Sequence, residues 1–283
     1  MKIAVTGSTG FIGQYVLREL VACSGVDSII ATGRHKERPT IIPEECQYEY
    51  LDIASPTPDD YQRLGKPDVL IHLAWEGLPN YRSLHHFETE LPRQYAFLNA
   101  LLDSGLPSLL VTGTCFEYGM VSGELYEEMK VHPTNPYGFA KNALREQLEY
   151  KQKKSEFNLT WARLFYLYGE GQASSSLYSQ LMTAISCRDA TFKMSKGEQI
   201  RDFLSIKLVA EKIVSLALKQ SNIGMVNIGS GAPISIRALV ESWVLDKSAN
   251  IALELGNLPY PDYEPLAFWA STRKLNEILS PPK

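Results

Sequence analysis

A tyrosine and a lysine stand four residues apart in Pro136-Tyr137-Gly138-Phe139-Ala140-Lys141. Near a helix start, that spacing puts both on one face. A phenol with an ordinary pKa of about 10 exchanges protons poorly at neutral pH. A neighbouring ammonium stabilises the phenolate and lowers that pKa. The pair is suited to acid–base work, and Lys141 can also hold a ribose hydroxyl. A hydroxyl lies upstream, in Val111-Thr112-Gly113-Thr114-Cys115-Phe116-Glu117-Tyr118-Gly119. Thr114 falls beyond a predicted strand, at the strand end where doubly wound sheets bind ligands. Its side chain can bond a carbonyl or alcohol oxygen opposite the tyrosine, or cap the turn that follows.

The elements that would position these groups begin at the N-terminus. Met1-Lys2-Ile3-Ala4-Val5-Thr6 reads as a strand, and glycines follow at positions 7, 10 and 13. This strand–turn–helix pattern suits a pyrophosphate held by the first amides of a helix. Gly7 supplies the turn, Gly10 lets the backbone approach the phosphates, and Gly13 lets the helix pack on the strand. Strands are predicted at Ile3–Thr6, Ser28–Thr32, Cys46–Tyr50, Val69–Leu73 and Leu109–Thr112. Helices are predicted at Phe11–Cys23 and Tyr81–Ser104. Alternation of this kind predicts an α/β fold: a Rossmann-like, doubly wound parallel sheet with helices on both faces.

The second half is less regular. It predicts a helix over Tyr137–Gln152, a strand over Thr160–Tyr166 and then a polar segment. A helix at Lys207–Lys219, a strand at Met225–Ile228 and a helix at Ile234–Leu245 follow, with a surface loop over Pro259–Pro265. The expected division is a dinucleotide domain over residues 1–168 and a smaller, substrate-binding C-terminal lobe over 169–283. The strand near 225–228 is expected to return to the main sheet.

Composition narrows the function. The net charge of −4 and the absence of a basic face argue against a nucleic-acid partner. Cys23, Cys46, Cys115 and Cys187 form no C-x-x-C pair, so neither a zinc site nor a disulfide framework is expected. No apolar run has the length a membrane helix needs, and no leader precedes the first strand. The expectation is a cytoplasmic protein with no membrane partner. His72 reads as structural at a strand end. His85, His86 and His132 lack metal-like spacing and read as surface or loop residues.

Taken in order, these motifs resemble the extended short-chain dehydrogenase/reductase family, in its nucleotide-sugar epimerase, dehydratase and ketoreductase branch. The resemblance runs through Thr6–Gly13, His72-Leu73-Ala74, Thr112–Gly119, Tyr137–Lys141 and Arg163–Gly169. It continues through Gly197–Phe203 and Asn227–Gly231. It implies hydride transfer at a sugar carbon with a nicotinamide cofactor, with Thr114, Tyr137 and Lys141 as the catalytic set. The cofactor would lie against Gly7, Thr9, Gly10, Phe11, Ile12 and Gly13. Asp52 and Ile53 would flank the adenine. Leu73, Ala74, Thr112 and Leu164 would flank the nicotinamide half, along with Tyr137 and Lys141. The resemblance also implies a homodimer formed through the helix carrying Tyr137 and its neighbour.

Departures from the family pattern narrow the reaction. Related dehydratases carry Thr-Asp-Glu where this chain has Thr114-Cys115-Phe116, so the acid pair that removes water is missing. Glu117 comes one place late, and on a strand-like path it would point elsewhere. Many epimerases have asparagine where Tyr166 stands. The late-loop arginine that binds diphosphate has no counterpart in Leu258–Trp269. Arg201 either holds the diphosphate or pairs with Asp202 or another carboxylate. Trp75 either packs on the sugar or closes the core. Trp75, Thr114, Cys115, Phe116, Tyr166, Gln172 and Arg201 form the expected substrate side. After the second strand there is no acid before Glu37, and Arg34 either holds a 2′-phosphate or stacks on adenine. NADP(H) is therefore favoured, with NAD(H) possible.

The resulting expectation is reduction of the 4-keto group of a nucleotide-linked 4-keto-6-deoxyhexose. It resembles the ketoreductases that form dTDP-fucose. The rival is a 4-epimerase that retains NAD. A non-catalytic NADP sensor is the third reading, and it has no need of an intact Thr114, Tyr137 and Lys141.

Overall fold

The computed structural model describes residues 1–280. Its main sheet has seven strands. The first five are β1 (Lys2–Thr6), β2 (Ser28–Gly33), β3 (Gln47–Tyr50), β4 (Val69–His72) and β5 (Ser108–Thr114). Asn158–Leu164 and Gly224–Ile228 complete it beyond β5, in that order, and β1 lies between β4 and β2. Every pairing in this sheet is parallel. Ile3, Ala4, Val5, Leu70 and Ile71 are fully buried. Strands covered on both faces are apolar throughout rather than alternating, which is why these runs read so clearly in the sequence.

One face is covered by helices Phe11–Ala22, Ile206–Leu218 and Arg273–Leu279, through side chains such as Leu17, Ile213 and Leu275. Leu91–Asp103 and Pro136–Gln152 cover the other, through Phe97, Leu101, Leu144 and Leu148. The chain leaves β1 toward β2 on one side and β4 joins it on the other, which makes the crevice between β1 and β4 the topological switch point. Thr6 and His72 are register partners at the carboxyl ends of those strands.

Three predicted elements need correction. The helix expected from Tyr81 begins at His86, as a wide turn over His86–Glu90 that runs into Leu91–Asp103. Pro92 has no N–H to offer the preceding turn. Residues 80–85 are instead held as a loop: Tyr137 donates its amide N–H to the Tyr81 carbonyl (3.2 Å) and His86 Nε2 lies 2.8 Å from the Asn80 carbonyl. The strand expected over Thr160–Tyr166 stops at Leu164. Phe165 donates its N–H to the Ile228 carbonyl, and Tyr166–Tyr168 joins a separate sheet beside Ile200–Ser205. The segment read as polar contains a helix, Leu177–Cys187, capped by Ser176 Oγ.

Ile200–Ser205 lies between Tyr166–Tyr168 and Pro233–Ser235 in a three-stranded sheet. Two short pairs, Thr191–Lys193 with Ala252–Glu254 and Gly123–Leu125 with Phe268–Ala270, complete the smaller layer. Among the described residues, no helix is long and apolar enough to cross a membrane.

Candidate active site

Tyr137 and Lys141 sit in the first turns of Pro136–Gln152. Asn135 caps that helix by accepting from the Gly138 amide (2.8 Å), and Pro136 occupies a first-turn position where no N–H is needed. A Cβ on Gly138 would stand 2.5 Å from the Phe116 carbonyl oxygen, so glycine lets the helix press against the turn that follows β5. That contact brings the Tyr137 phenol beside the Thr114 side chain. Thr114 Oγ1 also accepts from the Phe116 amide (3.3 Å). Burial, with smaller contributions from Tyr81, Glu117 and Cys115, pushes the Tyr137 phenol well above the usual tyrosine range. The polar Thr114 side chain acts in the opposite direction.

Lys141 is 2 % exposed and donates to the Thr112 carbonyl at 2.9 Å. Desolvation lowers its pKa to about 7, against the pull of Glu117 and Glu90. Its ammonium lies 4.0 Å from the Trp75 ring centroid. Trp75 itself donates from Nε1 to His86 Nδ1 (3.0 Å). His86 is fully buried and its ring centroid is 5.2 Å from that of Tyr137, which corrects its reading as a surface or loop residue. Trp75 is partly buried, packs against the core and covers the lysine. His72 is structural as expected: buried, it lies between Thr6 Oγ1 (2.8 Å) and Gln94 Oε1 (2.7 Å).

Residues Cys115–Tyr118 form a turn of 3₁₀-helix rather than a strand-like path. Glu117 therefore points inward under Thr114. It is fully buried and accepts from the Thr114 amide (2.9 Å), Trp161 Nε1 (2.9 Å) and Arg163 Nε (2.7 Å). Thr114 and Glu117 form a reciprocal capping box. The T-x-x-E spacing that announces such a box is present in the sequence.

The glycine-rich turn has the features that a pyrophosphate requires. Gly7 has a φ of +68°, and a Cβ there would lie 2.8 Å from the Ala74 amide nitrogen. A Cβ on Gly13 would lie 2.2 Å from the Gly7 carbonyl oxygen, so the helix can pack this closely only on glycine. Gly10 is the N-cap of Phe11–Ala22 and no side chain caps that end. The first-turn amides, and with them the positive end of the helix, remain available to an anion. Thr9 and Ile12 flank this end, and Phe11 packs edge-on against Tyr15 at 6.1 Å. Leu73 donates to the Thr6 carbonyl at the head of the switch-point crevice. Leu164 is buried opposite Thr114 in the sheet register. Asp52 accepts from the Ala54 amide (3.0 Å) in the turn beyond β3, beside Ile53. These residues fit a nicotinamide dinucleotide. Arg34, exposed at the end of β2, forms an ion pair with Glu76.

On the expected substrate side the structure brings together Cys115, Tyr166, Arg201 and a residue that the sequence reading missed, Glu264. Arg201 is 1 % exposed and donates to the carbonyls of Ile200 (2.8 Å) and Leu266 (2.9 Å). Its Nη2 is 2.9 Å from Glu264 Oε1 without hydrogen-bond alignment, and Nε has no partner. Tyr166 donates its hydroxyl to Glu264. Asp202 does not pair with Arg201. It accepts from the amides of Ser230 and Gly231. Burial raises the Cys115 thiol far above its ordinary pKa, so this side chain is neutral. Phe116 packs on Tyr81 (4.8 Å) and Tyr263 (6.0 Å). The loop over Pro259–Pro265, read as surface, therefore delivers Tyr263 and Glu264 into the site. Gln172 donates to the Leu167 carbonyl, and its Oε1 is buried without a partner.

Glu76, His85 and Glu90 bring ligand-type atoms within 4.8 Å of one another. Arg34 already engages Glu76, and Gln94 and the Glu76 amide engage Glu90. A cleft of about 740 Å³, lined by Pro107, Phe157, Asn158 and Gly224, lies at the opposite, amino ends of the strands, and of the residues above only Trp161 reaches it.

A parallel sheet with a glycine-rich first turn and a Thr–Tyr–Lys set at its carboxyl edge defines a Rossmann-type, nicotinamide-dependent class of protein. Residues 3–229 match the model of the NAD dependent epimerase/dehydratase family, and the chain belongs to that family. The chain is similar to a dTDP-6-deoxy-L-talose 4-dehydrogenase (NAD(+)) of Aggregatibacter actinomycetemcomitans, 29% identical over 96% of this chain and 100% of the relative. A dTDP-6-deoxy-L-talose 4-dehydrogenase (NAD(P)(+)) of Kitasatospora kifunensis is 23% identical over 92% of this chain and 83% of its own. Among solved structures, the UDP-glucuronic acid 4-epimerase of Bacillus cereus with UDP-glucuronic acid and NAD superposes with a TM-score of 0.83. It is 22% identical, and the match covers 100% of this chain and 95% of that one.

Proposed function

We propose that this protein is a nicotinamide-dependent 4-ketoreductase of a nucleotide-linked 6-deoxyhexose, working in reverse as a 4-dehydrogenase. The observation that carries the reading is the buried Thr114–Tyr137–Lys141 set beside a neutral Cys115 and an aromatic Phe116. That wall offers no acid for dehydration and suits a sugar whose sixth carbon is an unreactive methyl. The activities for which the two talose dehydrogenases are named support the same chemistry.

A nicotinamide dinucleotide held by the Gly7–Gly13 turn and Lys141 would supply the hydride. Thr114 holds the C4 oxygen and Tyr137 delivers its proton to that oxygen. Burial keeps the phenol protonated, which is the form that reduction needs. Lys141 secures the ribose and supplies positive charge behind Tyr137. Arg201 is the group proposed to meet the diphosphate, with Glu264 as its resident counter-ion. Residues 169–283 supply Gln172, Arg201, Tyr263 and Glu264 to the sugar side. NAD(H) is the proposed cofactor, and Arg34 is the group through which NADP(H) would be accepted once released from Glu76.

The test is a panel of nucleotide-linked 4-keto-6-deoxysugars with NADH and NADPH, followed by the loss of reduced nicotinamide and the stereochemistry of the product. The reading predicts one cofactor oxidised per sugar. Absence of turnover on every member, with cofactor still bound, would overturn it and restore the sensor.

A further inference from the structure

We propose that Glu117 is a positioning residue of this active site, which sets the orientation of Thr114 and the charge balance between Tyr137 and Lys141. The inference rests on the reading of Thr114, Tyr137 and Lys141 as the catalytic set.

The geometry leaves Glu117 little other freedom. Its carboxylate is fully buried and held by three donors from three places: the Thr114 amide, Trp161 Nε1 and Arg163 Nε. The first of these bonds fixes the backbone at the strand end that carries Thr114. The return bond, from the Phe116 amide to Thr114 Oγ1, occupies one lone pair of the hydroxyl. What is left of that hydroxyl faces Tyr137. A carboxylate one shell below the reacting atoms thus determines which way the threonine presents its oxygen.

Charge is the second part of the argument. Arg163 is fully buried, its Nη1 and Nη2 have no hydrogen-bond partner, and its guanidinium carbon lies 4.6 Å from the Tyr118 ring centroid. Glu117 is its partner in the buried ion pair. A lone structural pair would be spent on itself, but this one acts on the site. Glu117 favours the charged form of Lys141 and the protonated form of Tyr137. The other groups facing Lys141 are Glu90, which also favours its charge, the Thr112 carbonyl and the Trp75 ring. His72 and His86 also face it, and burial holds both below the ordinary histidine range. Tyr137 faces Tyr81, Cys115 and the His86 ring. Among the carboxylates acting on these two groups, Glu117 is the one bonded directly to the Thr114 backbone.

Two variants separate position from charge. Glu117→Asp keeps the charge and withdraws the carboxylate from the Thr114 amide. Glu117→Gln keeps the length and removes the charge. Each is read by kcat and KM, and by NMR of protein labelled at the lysine ε-carbon, with the Lys141 signal assigned by its absence in Lys141→Arg. Glu117→Asp is expected to lose about 10- to 100-fold in kcat, with KM and the Lys141 midpoint unchanged. Glu117→Gln is expected to lose at least as much, with the Lys141 midpoint moved down by about one pH unit. Folded variants with wild-type kcat and an unmoved midpoint would overturn the proposal. Failure of both variants to fold would overturn it too, by assigning Glu117 to stability alone. The NMR midpoint needs no substrate. A wild-type protein inactive on every sugar would therefore defeat the proposed reduction and still leave the role of Glu117 decided by the titration.

Discussion

The ammonium of Lys141 sits over the face of Trp75, 4.0 Å from the ring centroid, while donating to the Thr112 carbonyl at 2.9 Å. A buried lysine whose pKa has fallen to about 7 needs such support to stay charged. A cation–π contact of this kind contributes about 0.5–2 kcal/mol, or roughly 2- to 30-fold in an equilibrium. Trp75→Leu is therefore expected to lower kcat at neutral pH by a factor in that range. Steady-state rates near pH 7 check it, and an unchanged rate would show that the ring merely fills space.

Tyr137→Phe is expected to remove most turnover and leave dinucleotide affinity nearly intact. The phenol is the proposed proton donor, and loss of a positioned general acid costs about a hundred- to ten-thousand-fold. Lys141→Ala is expected to weaken cofactor binding as well as rate, because its ammonium serves both. Fluorescence titration of the dinucleotide alongside kcat distinguishes the two. Near wild-type turnover by the Phe variant would remove Tyr137 from the mechanism.

The main sheet was legible because strands such as Ile3–Val5 and Val69–Ile71 are apolar on both faces, and because glycines mark the first turn. Thr114, Tyr137 and Lys141 fall at strand and helix ends, where short-range spacing carries the signal. Glu264 and Tyr263 were hidden for the opposite reason. They lie in a proline-rich loop, and their contacts reach to Arg201 and Phe116, which no local period encodes. His86 was misread because its burial depends on a loop pinned by Tyr137 and Asn80. The Glu117 cap was legible in principle, since T-x-x-E spacing is local, but a strand-like path was assumed where the chain turns.

Arg34 offers a direct test of cofactor choice. Its guanidinium is held by Glu76 and lies at the strand end where the adenosine ribose of such proteins is read. Arg34→Ala is expected to raise the KM for NADPH and leave that for NADH little changed, because only the former has a 2′-phosphate to pair with. Equal increases for both would place Arg34 against the adenine.

Acid should destabilise the fold through His72. Burial first, then Lys141, lowers its pKa to about 3, against the hydrogen bond that His72 donates to Gln94. The folded pKa lies below the unfolded value of about 6.5, so between these limits the unfolded chain binds a proton that the folded one does not. Stability is unaffected by this group above about pH 6.5 and falls as pH drops below it, at up to about 1.4 kcal/mol per pH unit. His72→Gln is expected to be less stable at neutral pH but to have a flatter acid limb. Urea unfolding at a series of pH values measures both, and parallel limbs would sink the assignment.

Reductase and epimerase differ in what happens to the cofactor after one turnover. A reductase must exchange it, whereas an epimerase keeps it and returns the hydride. The catalytic set serves either reaction, so the decision falls to its surroundings. Burial holds Tyr137 protonated, as a donor to a new alkoxide at C4 must be. Cys115 is neutral and Phe116 carries no acid, so on the proposed reading a separate dehydratase would supply the 4-keto sugar. The purified protein is therefore expected to carry at most partial cofactor and to consume one reduced nicotinamide per keto sugar. Deuterium placed on the transferring face of the nicotinamide is expected at C4 of the product. A protein that arrives with tightly held NAD, interconverts two sugar alcohols and leaves the reduced-nicotinamide absorbance unchanged would be the epimerase instead.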